Sequence, residues 1–447
     1  MKIFDSLAIS IPEILLPAKG IDLTKWPVIA CDQYTSEPEY WEKVEAFVGQ
    51  APSTLHLIYP EVYLNTPDKE ARIARIQAKM KEYLSQGIFQ SVEGMLYVER
   101  ETAHGWRKGL LLGVDLDKYD YNPKASSLIR ATEGTILERI PPRVKIREGA
   151  ALEVPHIMIL VDDADNSVLG PATDHREKLR KLYDFDLMFN SGHIRGYLVN
   201  RPEVEKMILS GLEKLADQEK FLEKYSLPEG TPLLLFAMGD GNHSLATAKT
   251  IWEKTKASVK NPAAWKNSPL RYALVEVVNL HDQSLVFEPI HRALFEVKNP
   301  DNFIKDLKQF FADAVEIREH RSFEELKDEI NSKKKFDQVT GIVLRSGFKS
   351  VRFLKPTYNL TVGTVQNFLD DYFKKQAAAG IDYVHGDDSL FNLVQKKDNN
   401  IGLYLPAMDK NELFPTVILD GALPRKTFSM GEAWEKRFYL EARKLAE

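Results

Sequence analysis

The sequence contains one cysteine and no long apolar run, and its charges nearly cancel. Cys31 alone cannot form an intramolecular disulfide, and a zinc site built from thiolates needs more than one. The apolar runs are too short to span a bilayer, and the acidic and proline residues near the start are unlike a signal peptide. The formal net charge of −5 predicts no concentrated basic surface. We therefore expect a cytoplasmic protein with neither a membrane nor a nucleic acid as its partner.

A chain of 447 residues is long enough for two or three packed units. Short apolar strands alternate with helical segments, which predicts an α/β (α+β) fold. The pattern changes at about Asn299. We therefore predict a catalytic core with an N-terminal elaboration over 1–298 and an α+β part over 299–447, with a last helix at 432–445. A loop at 423–430 is expected to return to the active site.

The most informative stretch runs from Leu233 to Lys249. Its apolar start, Leu233 to Met238, predicts a buried strand, and the turn over 239–244 (sequence GDGNHS) opens a helix. The N-terminus of a helix that follows a glycine-framed turn favours a phosphate or a carboxylate. The same pattern also fits a tight strand–helix turn with an ordinary polar cap. The residues of interest in this turn are Asp240, Gly241, Asn242, His243 and Ser244.

Asp32 lies in a second turn of the same kind. A short strand over 27–30 precedes it, and a helix from about Pro38 to Val48 follows it. Side chains between a strand and a helix often face a functional site. Asp32 is therefore a candidate catalytic carboxylate, and the alternative is that it only caps its turn.

Two segments offer cations that could bind an anion. The first runs from Leu128 to Ile146 and is rich in arginine, and the adjacent prolines at 141–142 predict an irregular backbone there. The second is the loop before the predicted last helix. Arginine in irregular backbone suits an anion clamp, although such residues also commonly form surface ion pairs. The candidate cations are Arg130, Arg143, Arg425 and Lys426.

Four ordered blocks of the sequence together resemble one large bacterial family, catalogued as domain of unknown function number 1015. They are GDGNHS at 239–244, the LHDxxL…EPIHR block at 280–292, IDYVH at 381–385 and LPRKTFS at 423–429. The glycine turn is similar to the phosphate-binding box of the ParB-like, sulfiredoxin-like fold, usually D-G-H-H-R. The resemblance therefore implies a ParB/sulfiredoxin-like catalytic core with an additional α+β subdomain.

Members of that fold include kinases that act on free serine, and long members of the family resemble a serine kinase that uses inorganic diphosphate. The resemblance implies transfer of a phosphoryl group to free L-serine, giving O-phospho-L-serine, with Mg²⁺ beside the donor. Diphosphate, ADP and ATP remain open as donors. Phosphoryl transfer to an alcohol needs a carboxylate that accepts the hydroxyl proton, and Asp32 is the candidate for this base. Asp240 and His243 are the other candidate catalytic residues. Because Asn242 and Ser244 replace the usual first His and the Arg of the box, the arginine and lysine candidates must supply the cation.

A free amino acid also needs groups that bind its α-carboxylate and α-ammonium. The candidates for this role are Glu133, His281, Asp282 and Arg292. Two other classes of function remain open at this point. One is a ParB-like regulator that binds DNA or a nucleotide, and the other is a metal-dependent hydrolase. The latter would use His281, His291 and His385 with Asp282 and Asp387, although their spacing matches no standard metal motif.

Overall fold

The computed structural model describes residues 1–64, 66–258, 265–332 and 337–445, which form two compact units. Unit one contains Met1–Val286 together with the chain from Gly431 onward, and unit two is Phe287–Met430. The division after Val286 differs from the predicted boundary at residue 298. The predicted mixed α/β fold with an additional α+β unit is confirmed.

Unit one contains both strands and helices. Its strands up to residue 286 are β1 (Lys2–Phe4), β2 (Ile9–Ile11), β3 (Glu13–Pro17), β4 (Val28–Ile29), β5 (Phe89–Glu93), β6 (Leu96–Thr102), β7 (Gly105–Asp115), β8 (Tyr119–Asp120), β9 (Ile129–Arg130), β10 (Leu152–Glu153), β11 (Met158–Val161), β12 (Arg180–Asp186), β13 (His193–Leu198), β14 (Phe236–Asp240) and β15 (Tyr272–Asn279). Its helices are α1 (Pro38–Val48), α2 (Lys69–Ser85), α3 (Ile140–Arg147), α4 (Gly170–Asp174), α5 (Pro202–Leu215), α6 (Gln218–Tyr225) and α7 (Asn242–Ser258).

The main sheet of unit one has the order β12-β13-β6-β7-β15-β11-β14-β9-β8. Strand β15 runs parallel to β11, so that Asn279 lies beside Val161 at the carboxyl ends of both strands. Strand β14 runs antiparallel to β11, so that Asp240 lies beside Met158 at the amino end of β11. The turns that follow β14 and β15 therefore lie at opposite edges of the sheet.

Unit two is a second α+β unit with its own sheet and core. Its strands are β16 (Phe287–Phe295), β17 (Val315–His320), β18 (Val339–Leu344), β19 (Gly347–Phe353), β20 (Gly380–His385), β21 (Ile401–Tyr404) and β22 (Phe428–Met430). Its helices are α8 (Phe303–Phe310), α9 (Phe323–Asn331), α10 (Thr361–Lys374), α11 (Asp387–Gln395) and α12 (Leu413–Leu419). The sheet order is β17-β19-β18-β21-β16-β20, and β22 pairs with β16.

The C-terminal segment, residues 431–445, belongs to unit one and contains the short strands β23 (Phe438–Tyr439) and β24 (Arg443–Lys444). Strand β23 pairs with β4, and β24 pairs with β10. The predicted helix over 432–445 is therefore wrong. Residues 437–443 are all buried, whereas a surface helix would leave one face in water. Pairing with distant strands thus outweighs the local helix propensity.

A further sequence expectation needs correction. The prolines at 141–142 do not make the backbone irregular, because they lie in the first turn of α3, where a missing N–H costs nothing. Further along the chain, α5 and α6 are two separate helices. The side chain of Asp217 separates them, since it accepts hydrogen bonds from two backbone N–H groups at the start of α6. None of the helices in the described part of the chain is long and apolar enough to cross a bilayer.

Candidate active site

The turn over 239–244 has the strand–turn–helix form that the sequence predicts. Strand β14 ends at Asp240, and the seventeen-residue helix α7 begins at Asn242. Gly241 between them has φ = +85°, and a Cβ atom added there would lie 3.1 Å from the Cα atom of Ile157. Glycine is therefore required both by the backbone conformation and by the close approach of a neighbouring chain. The backbone N–H groups of Ser244 and Leu245 donate to the carbonyl of Gly241, each at 3.0 Å, and close the first helical turn.

Lys436 connects this turn with the Asp32 turn. The Lys436 Nζ atom lies 3.5 Å from Asp240 Oδ2, and the charge of the same lysine lowers the pKa of Asp32. The charge of Lys436 thus acts on both the glycine turn and the Asp32 turn. We call Asp32, His156, Asp240, His243 and Lys436 the Asp32–Asp240 site.

Asp32 is half-buried in the loop after β4, and its environment favours the ionised form. Burial by itself raises the pKa of this carboxyl. The charge of His156, a hydrogen bond from Gln33 and the charge of Lys436 all lower it, and the net pKa lies below the usual range. The Gln33 Nε2 atom donates to Asp32 Oδ1 at 3.0 Å. At neutral pH the side chain is therefore a carboxylate, the form that accepts a proton.

A buried hydrogen-bond chain orients His156. The backbone N–H of Cys31 donates to the Tyr439 hydroxyl at 3.2 Å, and this hydroxyl lies 2.9 Å from His156 Nδ1. When His156 is neutral, its Nδ1 atom accepts the hydroxyl proton, and its own proton is on Nε2. Burial, followed by the charges of Asp32 and Glu61, raises the pKa of the Cys31 thiol. Cys31 is consequently a thiol at neutral pH and not a nucleophile.

His243 joins the glycine turn to the loop that follows β9. Its Nε2 atom accepts a hydrogen bond of 3.3 Å from the backbone N–H of Ile136. In the same loop the Thr132 hydroxyl donates to the carbonyl of Met238 at 2.8 Å. Glu133, a predicted substrate-binding residue, is half-buried in this loop. The structure thus places Glu133 in a segment that contacts the Asp32–Asp240 site.

The two predicted arginines of unit one have different surroundings. Arg130 is buried, and its guanidinium donates to the carbonyls of Ser127, Pro232 and Leu233 at 2.8–3.2 Å. These carbonyls precede β14, so the guanidinium points away from the glycine turn, and the anion-clamp expectation for Arg130 is not supported.

Arg143, in contrast, lies close to the Asp32 turn. It forms an ion pair with Glu61, and its charge lowers the pKa of Cys31, the residue before Asp32. The backbone N–H of Glu61 in turn donates to the carbonyl of Cys31 at 2.8 Å. Arg143 is therefore the arginine that the structure brings near the site, already paired with a carboxylate.

His281 and Asp282 lie at the other edge of the sheet, after β15. The His281 Nε2 atom is 2.6 Å from Asp162 Oδ1. Asp282 accepts hydrogen bonds from the backbone N–H of Lys108 and from the N–H and hydroxyl of Ser284. Both residues were predicted to bind the α-groups of a free amino acid. The opposite directions of β14 and β15 place these residues and the glycine turn at opposite ends of β11.

The remaining predicted site residues belong to unit two. The guanidinium of Arg292 is buried and donates to the carbonyls of Ile290, Arg425 and Lys426. It therefore holds the 425–426 backbone in place and is not a surface group for substrate. The Arg425 Nε atom donates to the Tyr383 hydroxyl at 2.9 Å. Whether the loop over 423–430 serves the active site stays a prediction.

The metal-dependent hydrolase alternative required a cluster of histidines and carboxylates. His281 belongs to unit one and pairs with Asp162, whereas His291 and His385 belong to unit two. Burial lowers the pKa of His291, whose Nε2 atom lies 3.3 Å from Asp387 Oδ1. Within the described ranges no three His, Cys, Asp or Glu side chains form a group that could hold a metal ion.

Sequence reasoning missed His156, Lys436 and Tyr439. His156 follows a proline and precedes a buried strand. A titratable residue in that position could have been predicted to belong to the site. Lys436 and Tyr439 gave no signal, because they lie in a segment that was assigned to a helix of another domain. They reach the site only through the pairing of β23 with β4.

Comparison with solved structures gave distant likenesses. A conserved hypothetical protein from Pyrococcus furiosus matches with a TM-score of 0.35 and 11% identity over 74% of this chain and 90% of its own. A free serine kinase in complex with AMP matches with a TM-score of 0.38 and 11% identity over 75% and 92%. SbnI with a C-terminal truncation, from Staphylococcus aureus, matches with a TM-score of 0.37 and 10% identity over 75% and 87%.

The search of curated proteins gave no match. The comparison with protein families, in contrast, gave a match over most of the chain. The family described as "Protein of unknown function (DUF1015)" matches residues 15–377, which include β4, the Asp32 turn, the glycine turn and most of unit two. The resemblance that the four sequence blocks indicated is thus confirmed, and this chain belongs to the DUF1015 family.

Proposed function

We propose that this protein is a small-molecule kinase that transfers a phosphoryl group to the hydroxyl of free L-serine, with inorganic diphosphate as the donor. The observation that carries the proposal is the arrangement around Lys436. An ionised carboxylate, Asp32, and the carboxylate of Asp240 at the N-terminus of α7 both lie within the reach of this lysine. Family membership and the likeness of the glycine turn to a phosphate-binding box support the same reading.

These residues match the needs of phosphoryl transfer to an alcohol. Such a transfer requires an in-line arrangement, cations on the phosphate oxygens and a group that accepts the hydroxyl proton. In the proposed step the serine oxygen forms a bond to phosphorus while the bridging P–O bond of diphosphate breaks. Asp32 accepts the hydroxyl proton, and inorganic phosphate leaves. Lys436 and the N-terminus of α7 stabilise the negative charge on the transferred group.

A magnesium ion is expected beside the donor, and the glycine turn has oxygen atoms that suit it. Mg²⁺ usually binds one or two protein carboxylates together with substrate phosphates and water. Asp240 offers a carboxylate. The Asn242 Oδ1 atom is buried and accepts no hydrogen bond from any residue in the described ranges. Asp240 and Asn242 are therefore the residues that would hold the ion, which would neutralise charge on the donor.

The test is a direct assay with purified full-length protein. Mg²⁺, L-serine and either diphosphate, ADP or ATP are mixed, and ³¹P NMR follows the formation of a phosphate ester. We expect O-phospho-L-serine with diphosphate, accompanied by one equivalent of inorganic phosphate. The other common amino acids serve as acceptor controls. Failure to form a phosphate ester with any combination of donor and acceptor would contradict the proposal. A product with ATP or ADP alone would show that the donor is a nucleotide and not diphosphate.

A further inference from the structure

The residue that follows Lys436 pairs with a second carboxylate of the main sheet. Met158 on β11 is the register partner both of Asp240 on β14 and of Glu276 on β15, so the two acidic residues lie in one row across three strands. The Lys436 Nζ atom is 3.5 Å from Asp240 Oδ2, and the Arg437 Nη1 atom is 3.4 Å from Glu276 Oε2. Two consecutive basic residues thus pair with the two ends of this row.

The ion pair between Glu276 and Arg437 is buried. The Glu276 side chain is 3% exposed and that of Arg437 is 2% exposed. A Cβ atom added to Gly109 would lie 2.2 Å from Glu276 Oε1, so the chain needs a glycine at this position to make room for the carboxylate. Replacing a buried ion pair by apolar side chains is often neutral or stabilising. Fold stability alone therefore gives no reason for this pair.

The backbone is held on both sides of Lys436. The Arg107 guanidinium donates to the carbonyl of Glu435 at 3.0 Å. The backbone N–H of Ala30 donates to the carbonyl of Arg437, also at 3.0 Å. With the backbone held in this way, the ion pair of Arg437 also fixes the side chain next to the lysine. These contacts together determine where the Lys436 ammonium group lies.

We propose that Glu276 is a positioning residue for Lys436. Its carboxylate holds Arg437, and Arg437 holds the preceding lysine where its charge acts on both Asp240 and Asp32. The consequence for the phosphate donor rests on the proposed function, whereas the placement of Lys436 does not.

The titration of Asp32 in the full-length protein tests the proposal without any substrate. Burial raises the pKa of this carboxyl, and the charges of His156 and Lys436 lower it, so a displaced Lys436 should raise it. NMR follows the titration in protein with ¹³C-labelled aspartate carboxyls, and Asp32→Asn assigns the signal. We expect Glu276→Gln to raise the pKa of Asp32 by about 0.5 or more, in the same direction as Lys436→Met.

The sign of this change separates positioning from a direct effect of charge. Glu276→Gln removes a negative charge, and the loss of a like charge lowers the pKa of a nearby carboxyl. A fall in the pKa of Asp32, or no change, would therefore overturn the proposal. In the Lys436→Met background Glu276→Gln should cause no further rise, because the effect requires the lysine. A rise of the same size in that background would also overturn it.

Two further variants separate the ion pair from a general loss of stability. Glu276→Asp keeps the charge but shortens the side chain, and it should raise the pKa of Asp32 even if Glu276→Gln fails to fold. Glu153→Gln is the matched control, because Glu153 is a buried carboxylate that pairs with Arg443 of the same C-terminal segment at 2.8 Å. It should leave the pKa of Asp32 unchanged. An equal rise in Glu153→Gln would mean that loosening of the segment is the cause, and the proposal would be wrong.

The kinetic assay distinguishes this proposal from the proposed function. Glu276→Gln should raise the KM for diphosphate by about threefold or more, because a displaced lysine binds the donor less well. If the native protein forms no phosphate ester while Glu276→Gln raises the pKa of Asp32, the proposed function is wrong and the positioning role remains. An active native enzyme whose Asp32 titration is unaffected by Glu276→Gln would give the opposite conclusion.

Discussion

Replacing Asp32 by asparagine tests the proposed base with a minimal change of shape. Asparagine has nearly the same volume, and its amide oxygen can still accept the hydrogen bond from Gln33 Nε2, which is 3.0 Å long in the native chain. The variant removes only the negative charge that faces His156 and Lys436. A loss of activity would therefore report on the carboxylate itself.

The expected loss follows from the role of a general base, which contributes roughly 10²–10⁴-fold to the rate. This factor corresponds to about 2.7–5.4 kcal/mol of transition-state stabilisation, at 1.36 kcal/mol per tenfold change. In the ³¹P assay Asp32→Asn should lower kcat by that factor with little change in the KM for the donor. His243→Ala should first raise the donor KM, because a residue of the phosphate turn binds the donor in both the ground and the transition state.

The pH dependence of the free energy of unfolding provides a control, because it tests whether Asp32 is ionised in the folded protein. The pKa of Asp32 is lower in the folded state than in the unfolded chain, so its ionisation stabilises the fold at neutral pH, and this contribution is lost as the pH falls through the folded pKa. The difference in the free energy of unfolding between native protein and Asp32→Asn should thus be largest near pH 7 and shrink below about pH 4. Full activity of Asp32→Asn eliminates it as the base and leaves Asp240. Equal loss of kcat in both variants at constant KM refutes their separate roles.

Three further predictions concern the C-terminal segment and its partners. Lys436→Met should raise the KM for the donor by about tenfold or more in the kinetic assay, because it removes the cation between the two turns, and an unchanged KM would remove Lys436 from the donor site. Tyr439→Phe should lower the free energy of unfolding in urea by about 1–3 kcal/mol, since His156 and a backbone N–H both lose their buried partner. Glu153→Gln should lower it by about 3–5 kcal/mol, because the carboxylate is buried between two arginines, one of them Arg443 at 2.8 Å. Urea unfolding that matches the native protein would contradict the structural role of either residue.

The part of the site that was predictable from the sequence is the part that is local in the chain. The glycine turn was readable because an apolar run, two glycines and a helix-forming stretch follow one another within some twenty residues. Asp32 was readable for the same reason, as a polar residue between a strand and a helix. Neither prediction needed any knowledge of which strands are neighbours.

The predictions that were wrong concern residues whose positions depend on contacts with distant parts of the chain. The sequence over 432–445 has good helix propensity, but Phe438 pairs with Ile29 and Leu15 bridges to Ala442. Tertiary pairing of this kind overrides a propensity of less than about 1 kcal/mol per residue. The prediction that Arg130 belongs to an anion clamp failed for a related reason. Nothing in the local sequence indicates that its guanidinium donates to the carbonyls of Pro232 and Leu233, about a hundred residues further along the chain.

The position of the C-terminal segment has a consequence for synthesis. A ribosome makes the chain from its amino end, so the partners of β4 and β10 emerge only after all of unit two has been made. Until then the indole N–H of Trp26 lacks the carbonyl of Leu440, to which it donates at 2.9 Å. Contacts of such large sequence separation form late, because the entropy cost of closing a long loop comes before the stabilisation that the contacts provide. A nascent chain of this protein therefore carries an incomplete first unit until all of unit two has been made, and it acquires Lys436 and Tyr439 only after that.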